Sequence, residues 1–230
     1  MKTLITTIFI SVNGLCAFAQ NSLSQQTQVE VATGLVLPNF GKGNELLRSS
    51  DLRTNGQSYF QNSAGNRANV GKYGTQQGFN ISLGFYKPVR AVKGLMLGGM
   101  IRSAQTGSEP DNGGYAEGYF FNFLSAGLAA KYYPFTSNNL YLKGEAGMGA
   151  VFTKNRYLNE AGQQNFFHQF GIGTSGSFGA GYSLTPFKNK DKAIDLSVLY
   201  QAYSTRVEVN GIGDDQWRFG ALNFLVGLTF

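Results

Sequence analysis

From Gln28 onward, apolar side chains return at every second position in eight separate stretches. In the first, Gln28 to Leu37, Val29, Val31, Thr33, Leu35 and Leu37 fall on one face, and Glu30, Ala32, Gly34 and Val36 on the other. The others run from Gly78 to Lys87, Leu95 to Ser103, Tyr119 to Tyr133, Leu140 to Phe152, Phe166 to Leu184, Ile194 to Thr205 and Trp217 to Phe230. A period of two is the signature of a β-strand whose faces meet different surroundings. No helical periodicity competes with it after the N-terminal segment. Three connections are short and begin with Pro88, Pro134 and Pro186, where a missing ladder donor ends pairing. The alternating connections, Pro38 to Gln77, Gln105 to Glu117, Thr153 to Asn165 and Arg206 to Gln216, are longer. Short turns at one end and long loops at the other describe an up-and-down meander.

The less apolar face decides what surrounds the meander. A soluble sandwich or a lipocalin-like periplasmic binder, the competing reading, would turn Lys, Glu and Thr toward water. Here that face is mostly Gly, Ser and Ala, which suits a cramped interior. The Leu, Val, Ile and Phe face then looks out at lipid. Inside hydrocarbon an unpaired backbone group costs several kcal/mol, so the sheet must close on itself. The pattern predicts an all-β transmembrane up-and-down antiparallel β-barrel of eight strands, with ten as the alternative count. Aromatic residues gather where two interfacial girdles belong. Tyr86, Tyr132, Tyr133, Tyr141, Tyr182 and Phe230 fall near the short turns. Phe79, Phe120, Phe121, Phe152, Phe166, Phe167, Tyr203 and Trp217 fall near the long loops.

The N-terminus supplies the route. In MKTLITTIFISVNGLCAFAQ, Lys2 precedes an apolar stretch from Leu4 to Phe18, and Ala17-Phe18-Ala19 offers small residues to a signal peptidase. Residues 1–19 read as a secretory signal peptide and residues 20–230 as the barrel domain. The apolar run is too short and too interrupted for a membrane helix. Cys16, the one cysteine, lies within the leader and follows Leu15 where a lipoprotein signal wants a small residue. Cleavage leaves no cysteine, hence neither disulfides nor thiolate chemistry. Charged residues make up 14% of the chain and aromatics another 14%, with 31 glycines, a composition unlike that of a disordered protein. The net charge of +6 comes from scattered residues and does not point to nucleic acid.

The last strand, LNFLVGLTF, carries Leu222, Phe224, Val226, Leu228 and a terminal Phe230. On these residues the chain resembles the small Gram-negative outer-membrane β-barrel proteins of the OmpA and OmpX type, over nearly all of its predicted mature length. The resemblance implies residence in the outer membrane. It also implies that the five stripe residues are what the outer-membrane assembly machinery recognises. The small-residue cut followed by Gln20 looks like proteins of the Bacteroidota. No peptidoglycan-binding domain is expected after the barrel.

Candidate chemistry is sparse. Glu30, Arg102, Lys131, Lys143, Glu145, Asp195 and Gln201 are the polar residues expected inside the lumen. An eight-stranded barrel is just wide enough for side chains to fill, and their mixed signs favour a paired plug over a pore. Gly171 to Gly176, GIGTSG, fits a dinucleotide fingerprint with Asp195 further on, but a period-two segment follows where a helix must open. No cofactor is therefore expected. His168, the only histidine, lies near the long-loop end, with Ser175 and Ser177 on the inner face. One histidine with no placed nucleophile and acid is a poor triad, and one histidine without cysteine is a poor metal site. The first long loop carries Lys42, Arg48, Arg53, Arg67 and Lys72 against Glu45 and Asp51, a cation excess suited to lipopolysaccharide phosphates. Its NGQSYFQNSAGN stretch could form an extra hairpin. The expectation is a non-enzymatic structural or surface-interaction protein that acts through its outer loops. Its partners are outer-membrane lipids and lipopolysaccharide, plus the assembly machinery during biogenesis. A narrow solute channel is the second reading, and a lipid-modifying enzyme built around His168 the third.

Overall fold

The computed structural model describes residues 23–39, 77–108, 111–112, 115–135, 139–158, 164–187, 192–209 and 213–230. The leader 1–19, the cations expected in the first loop and its hairpin lie outside them. A three-residue 3₁₀ turn, Leu23–Gln25, precedes β1 (Gln28–Asn39). There follow β2 (Gln77–Pro88), β3 (Leu95–Ser108), the two-residue β4 (Asp111–Asn112) and β5 (Tyr115–Tyr132). The remaining strands are β6 (Leu140–Leu158), β7 (Gln164–Leu184), β8 (Ala193–Val209) and β9 (Gly213–Thr229). Long strands pair antiparallel with their sequence neighbours, β3 pairing β5 directly, while β4 only folds back on β5.

β1 also pairs with β9, which closes the cylinder with eight strands and no free edge. Val29 and Phe230 finish the seam with reciprocal backbone hydrogen bonds of 3.0 and 2.9 Å. The stagger can be read from the register. Pairing leads from Val29 through Phe85, Gly99, Leu128, Ala146, Gly176, Ala202 and Gly220 back to β1 at Asn39, ten residues further on. For eight strands that shear implies a tilt of about 45°. β1 and β2, 12 residues each, then rise roughly 28 Å, little more than the apolar band of about 25 Å of an outer-membrane barrel. β7, with 21 residues, rises roughly 50 Å and stands well clear of it.

The exterior carries the apolar stripes. Leu128 is 77% exposed and Phe178 67%, with Leu83, Ile101, Met148, Val198 and Phe224 similarly open. A soluble monomer does not present an apolar sheath of this extent to water. On a sheet with every edge paired, it is a membrane-spanning surface. Leu222, Phe224, Val226, Leu228 and Phe230 all lie on it, beside the β1 seam. An antiparallel eight-stranded barrel with this exterior and short turns at one end is the architecture of Gram-negative outer-membrane proteins.

Two expectations are corrected. Most of the three shorter "long loops" is strand. β3 reaches Ser108, β6 Leu158 and β8 Val209, while β5, β7 and β9 begin at Tyr115, Gln164 and Gly213. Ladder pairing continues above the bilayer, where the sheet no longer needs an apolar outer face. The girdle is also thinner than expected. Tyr132, Phe230, Phe79 and Phe152 face outward and are exposed, and Tyr182 and Phe120 are half-buried on that side. Tyr86, Tyr133, Tyr141, Phe121, Tyr203 and Trp217 instead point into the lumen and are buried. Each sits one residue out of phase with the lipid-facing stripe, and parity outweighs the preference of aromatics for interfaces. The side chains of Phe166 and Phe167 lie outside the description.

Candidate functional site

Among the described residues the lumen concentrates buried polar chemistry, and strand parity builds it. Inward positions of β9, read upward from the short-turn end, are Thr229, Gly227, Leu225, Asn223, Ala221, Phe219 and Trp217. Those of β5 are Lys131, Ala129, Gly127, Ser125, Phe123 and Phe121. Both strands pass from polar groups to aromatic rings.

At the short-turn end Tyr86, Tyr133 and Tyr141 form a floor with Met96. The Tyr133 and Tyr141 rings are 5.6 Å apart, and the Tyr133 and Ser183 hydroxyls share a hydrogen bond of 3.4 Å. Gly94, at φ +83°, lets the β2–β3 turn pass close enough for its carbonyl to accept from the Tyr133 N–H at 2.9 Å. Leu23 is buried below, its carbonyl accepting a 2.6 Å hydrogen bond from Gln28 Nε2. Glycine makes room for such rings. A methyl on Gly149 would come within 2.9 Å of the Tyr203 ring, and one on Gly84 within 2.7 Å of the Tyr86 ring.

Above the floor runs a chain of alternating charges. Arg102 of β3 bonds Glu145 of β6 at 2.9 Å. Glu145 meets Lys143 at 3.4 Å, and Lys143 meets Glu30 of β1 at 2.6 Å. Glu30 meets Lys131 of β5 at 3.2 Å, and Lys131 meets Asp195 of β8 at 2.8 Å. Three cations and three carboxylates, all buried, thus neutralise one another. Remaining carboxylate lone pairs are also used. Ser177 donates to Glu145, while Ser183 and Thr229 donate to Asp195 at 2.5 and 2.6 Å. The Lys131 ammonium lies 4.2 Å from the Tyr141 ring centroid, a desolvated cation–π contact. Buried charges are tolerated only with this degree of pairing.

An amide layer follows. Asn80 donates to Asn223 Oδ1 at 2.7 Å, Asn223 donates to the Leu199 and Ala221 carbonyls, and Gln201 donates to Ser125 at 3.4 Å. Higher still the filling is aromatic. Phe121, Phe123, Tyr203, Trp217 and Phe219 pack with Val36, Val151 and Val207. Phe123 stacks on Tyr203 at 4.9 Å and meets Phe219 edge-on at 5.4 Å.

The structure brings six of the seven expected lumen residues into one ion-paired chain. The seventh, Gln201, lies one layer above it. Sequence reasoning missed the tyrosine floor, the Asn80–Asn223 pair and the aromatic layer. The available signal was parity, since Tyr86 follows outward Phe85 and Trp217 shares its face with Asn223. GIGTSG lies inside β7, where Gly171 and Gly173 face closely approaching β8 backbone, and no helix opens there. His168 is exposed on the outer face, paired in register with Lys154. Ser175 lies seven residues along β7, about 23 Å away, and donates to the Met148 carbonyl. Ser177 is engaged with Glu145. Among the described residues no three potential metal ligands cluster.

No protein-family model and no curated protein matches the chain. Solved structures similar to it include Ail, the attachment invasion locus protein of Yersinia pestis, in complex with the heparin analogue sucrose octasulfate. That match has 16% identity over 90% of this chain and 100% of that one, with a TM-score of 0.46. The outer membrane protease OmpT from Escherichia coli matches with 11% identity over 89% of this chain and 96% of that one, TM-score 0.43. The outer membrane protein OprG from Pseudomonas aeruginosa matches with 11% identity over 91% and 99%, TM-score 0.41. The likeness extends to the barrel fold and stops there.

Proposed function

We propose that this outer-membrane barrel is a plugged, non-enzymatic scaffold that acts through the surface it presents at its long-loop end. The carrying observation is the unbroken series Arg102–Glu145–Lys143–Glu30–Lys131–Asp195 beneath a packed aromatic layer. An ion crossing the lumen would have to separate paired charges in a low-dielectric interior and then part five rings, so either layer alone opposes conduction. The outward position of His168, remote from Ser175 and Ser177, supports a surface role over a catalytic one. β5 to β9 rise furthest above the bilayer and give that surface a rigid base.

Purified protein in planar bilayers is expected to give no stable conductance steps, and reproducible unitary steps would overturn the plug. His168→Ala is expected to leave the lipid composition of the host membrane unchanged, whereas a lost lipid modification would restore the enzyme reading.

A further inference from the structure

The outer face of β7, β8 and β9 carries a groove of about 490 Å³ at the level where the apolar band ends. Its floor is one register row, Gly176, Ala202 and Gly220. The row below is bulky, Phe178, Tyr200 and Leu222, and the exposed Tyr200 leans across Gly220 to form a wall. The row above is polar, Thr174, Ser204 and Arg218, with Arg206 one step higher on β8. Arg218 lies twelve residues up β9 from Phe230, about 28 Å along the barrel axis. That is just past a band of about 25 Å, at headgroup depth of the outer leaflet.

Both arginines are exposed. Every carboxylate whose side chain is described, Glu30, Glu145 and Asp195, is locked inside the lumen. This exterior corner presents two exposed cations above an apolar notch. A second groove of about 500 Å³, between Phe79 and Phe120, is lined by Gln77, Gln105 and Asn122 and carries no cation. Charge separates the two.

We infer that the Gly176–Ala202–Gly220 groove binds one phosphorylated glycolipid of the lipid A type, an acyl chain lying in the notch and a phosphate held by Arg206 and Arg218. Guanidinium groups take phosphate in charge-assisted, bidentate hydrogen bonds. An acyl chain in the notch would lie beside Tyr200, against Gly176 and the exposed Ala202. The inference rests on the barrel standing in an outer membrane with its long-loop end outward.

The test is native mass spectrometry of folded protein released from micelles with hexa-acylated, bis-phosphorylated lipid A, or with its dephosphorylated counterpart. Wild type is expected to retain one lipid A, with at least tenfold weaker retention of the dephosphorylated form. Arg206→Gln/Arg218→Gln and the notch-filling Ala202→Leu should each weaken retention at least tenfold. Arg206→Lys/Arg218→Lys should restore part of it, and Lys87→Gln/Lys192→Gln at the other end should change nothing. Heat-modifiable gel mobility separates the two ideas, because wild type that never folds into micelles refutes the barrel reading itself. Folded protein that holds both lipids equally, or whose double arginine variant binds like wild type, overturns the lipid site. So does a dimer that Ala202→Leu converts to monomer, which would assign the notch to a second copy of the chain.

Discussion

Below the Asn80–Asn223 pair the lumen is filled by six charges and three tyrosines, and above it by five aromatic rings and their aliphatic neighbours. Both regions are buried, yet they are held by different physics. In the lower layer each group needs a particular partner, because a buried charge left alone costs several kcal/mol. In the upper layer any side chain of the right volume serves, because dispersion and area burial are not directional. The lower region thus specifies which strands face one another, and the upper region supplies bulk. The boundary is also visible along β9. Leu222 points out and Asn223 in, whereas further up Trp217 points in and Arg218 out. The apolar phase changes sides where the bilayer ends and water begins outside the wall.

That contrast can be broken by substitution, measured as urea unfolding in phospholipid vesicles. The largest effect is expected for Lys131→Met, which removes the cation paired with Asp195. About 3–5 kcal/mol should be lost, and most should return when Asp195→Asn is added. A loss without recovery would mean that volume, not charge, governs the lower layer too. Next comes Asn223→Ala, which strands the Asn80 amide and should cost about 1–3 kcal/mol. Combining it with Asn80→Ala should cost less than the sum of the two single changes, and strict additivity would deny the pair any coupling. Smallest is Phe123→Leu in the aromatic layer, expected below about 1.5 kcal/mol because it stays apolar and near in volume. Should Phe123→Leu cost as much as Lys131→Met, the distinction between the layers fails.

Much of the barrel was legible in the sequence because alternation alone tells lipid-facing from lumen-facing residues. Glu30, Arg102, Lys131, Lys143, Glu145 and Asp195 stood on the inner phase and are found there. The strand extensions were not legible. Around Lys154, His168, Arg206 and Gln216 the outer positions turn polar above the membrane, and the segment then reads as loop although ladder pairing continues. The same inversion hid the aromatic layer. Trp217 and Phe121 look like girdle residues by type and distance from the strand end, and only their phase shows that they point inward.

The sequence by itself determined that the chain crosses a membrane as a closed sheet, because an apolar stripe every second residue leaves no other way to satisfy both side chains and backbone. Only the tertiary structure decided which cation meets which carboxylate. Glu30 reaches Lys131 and Lys143, 101 and 113 residues away, because closure of β1 on β9 with a ten-residue stagger sets the height of every inward group. No local pattern encodes that height, since it is a property of the closed ring.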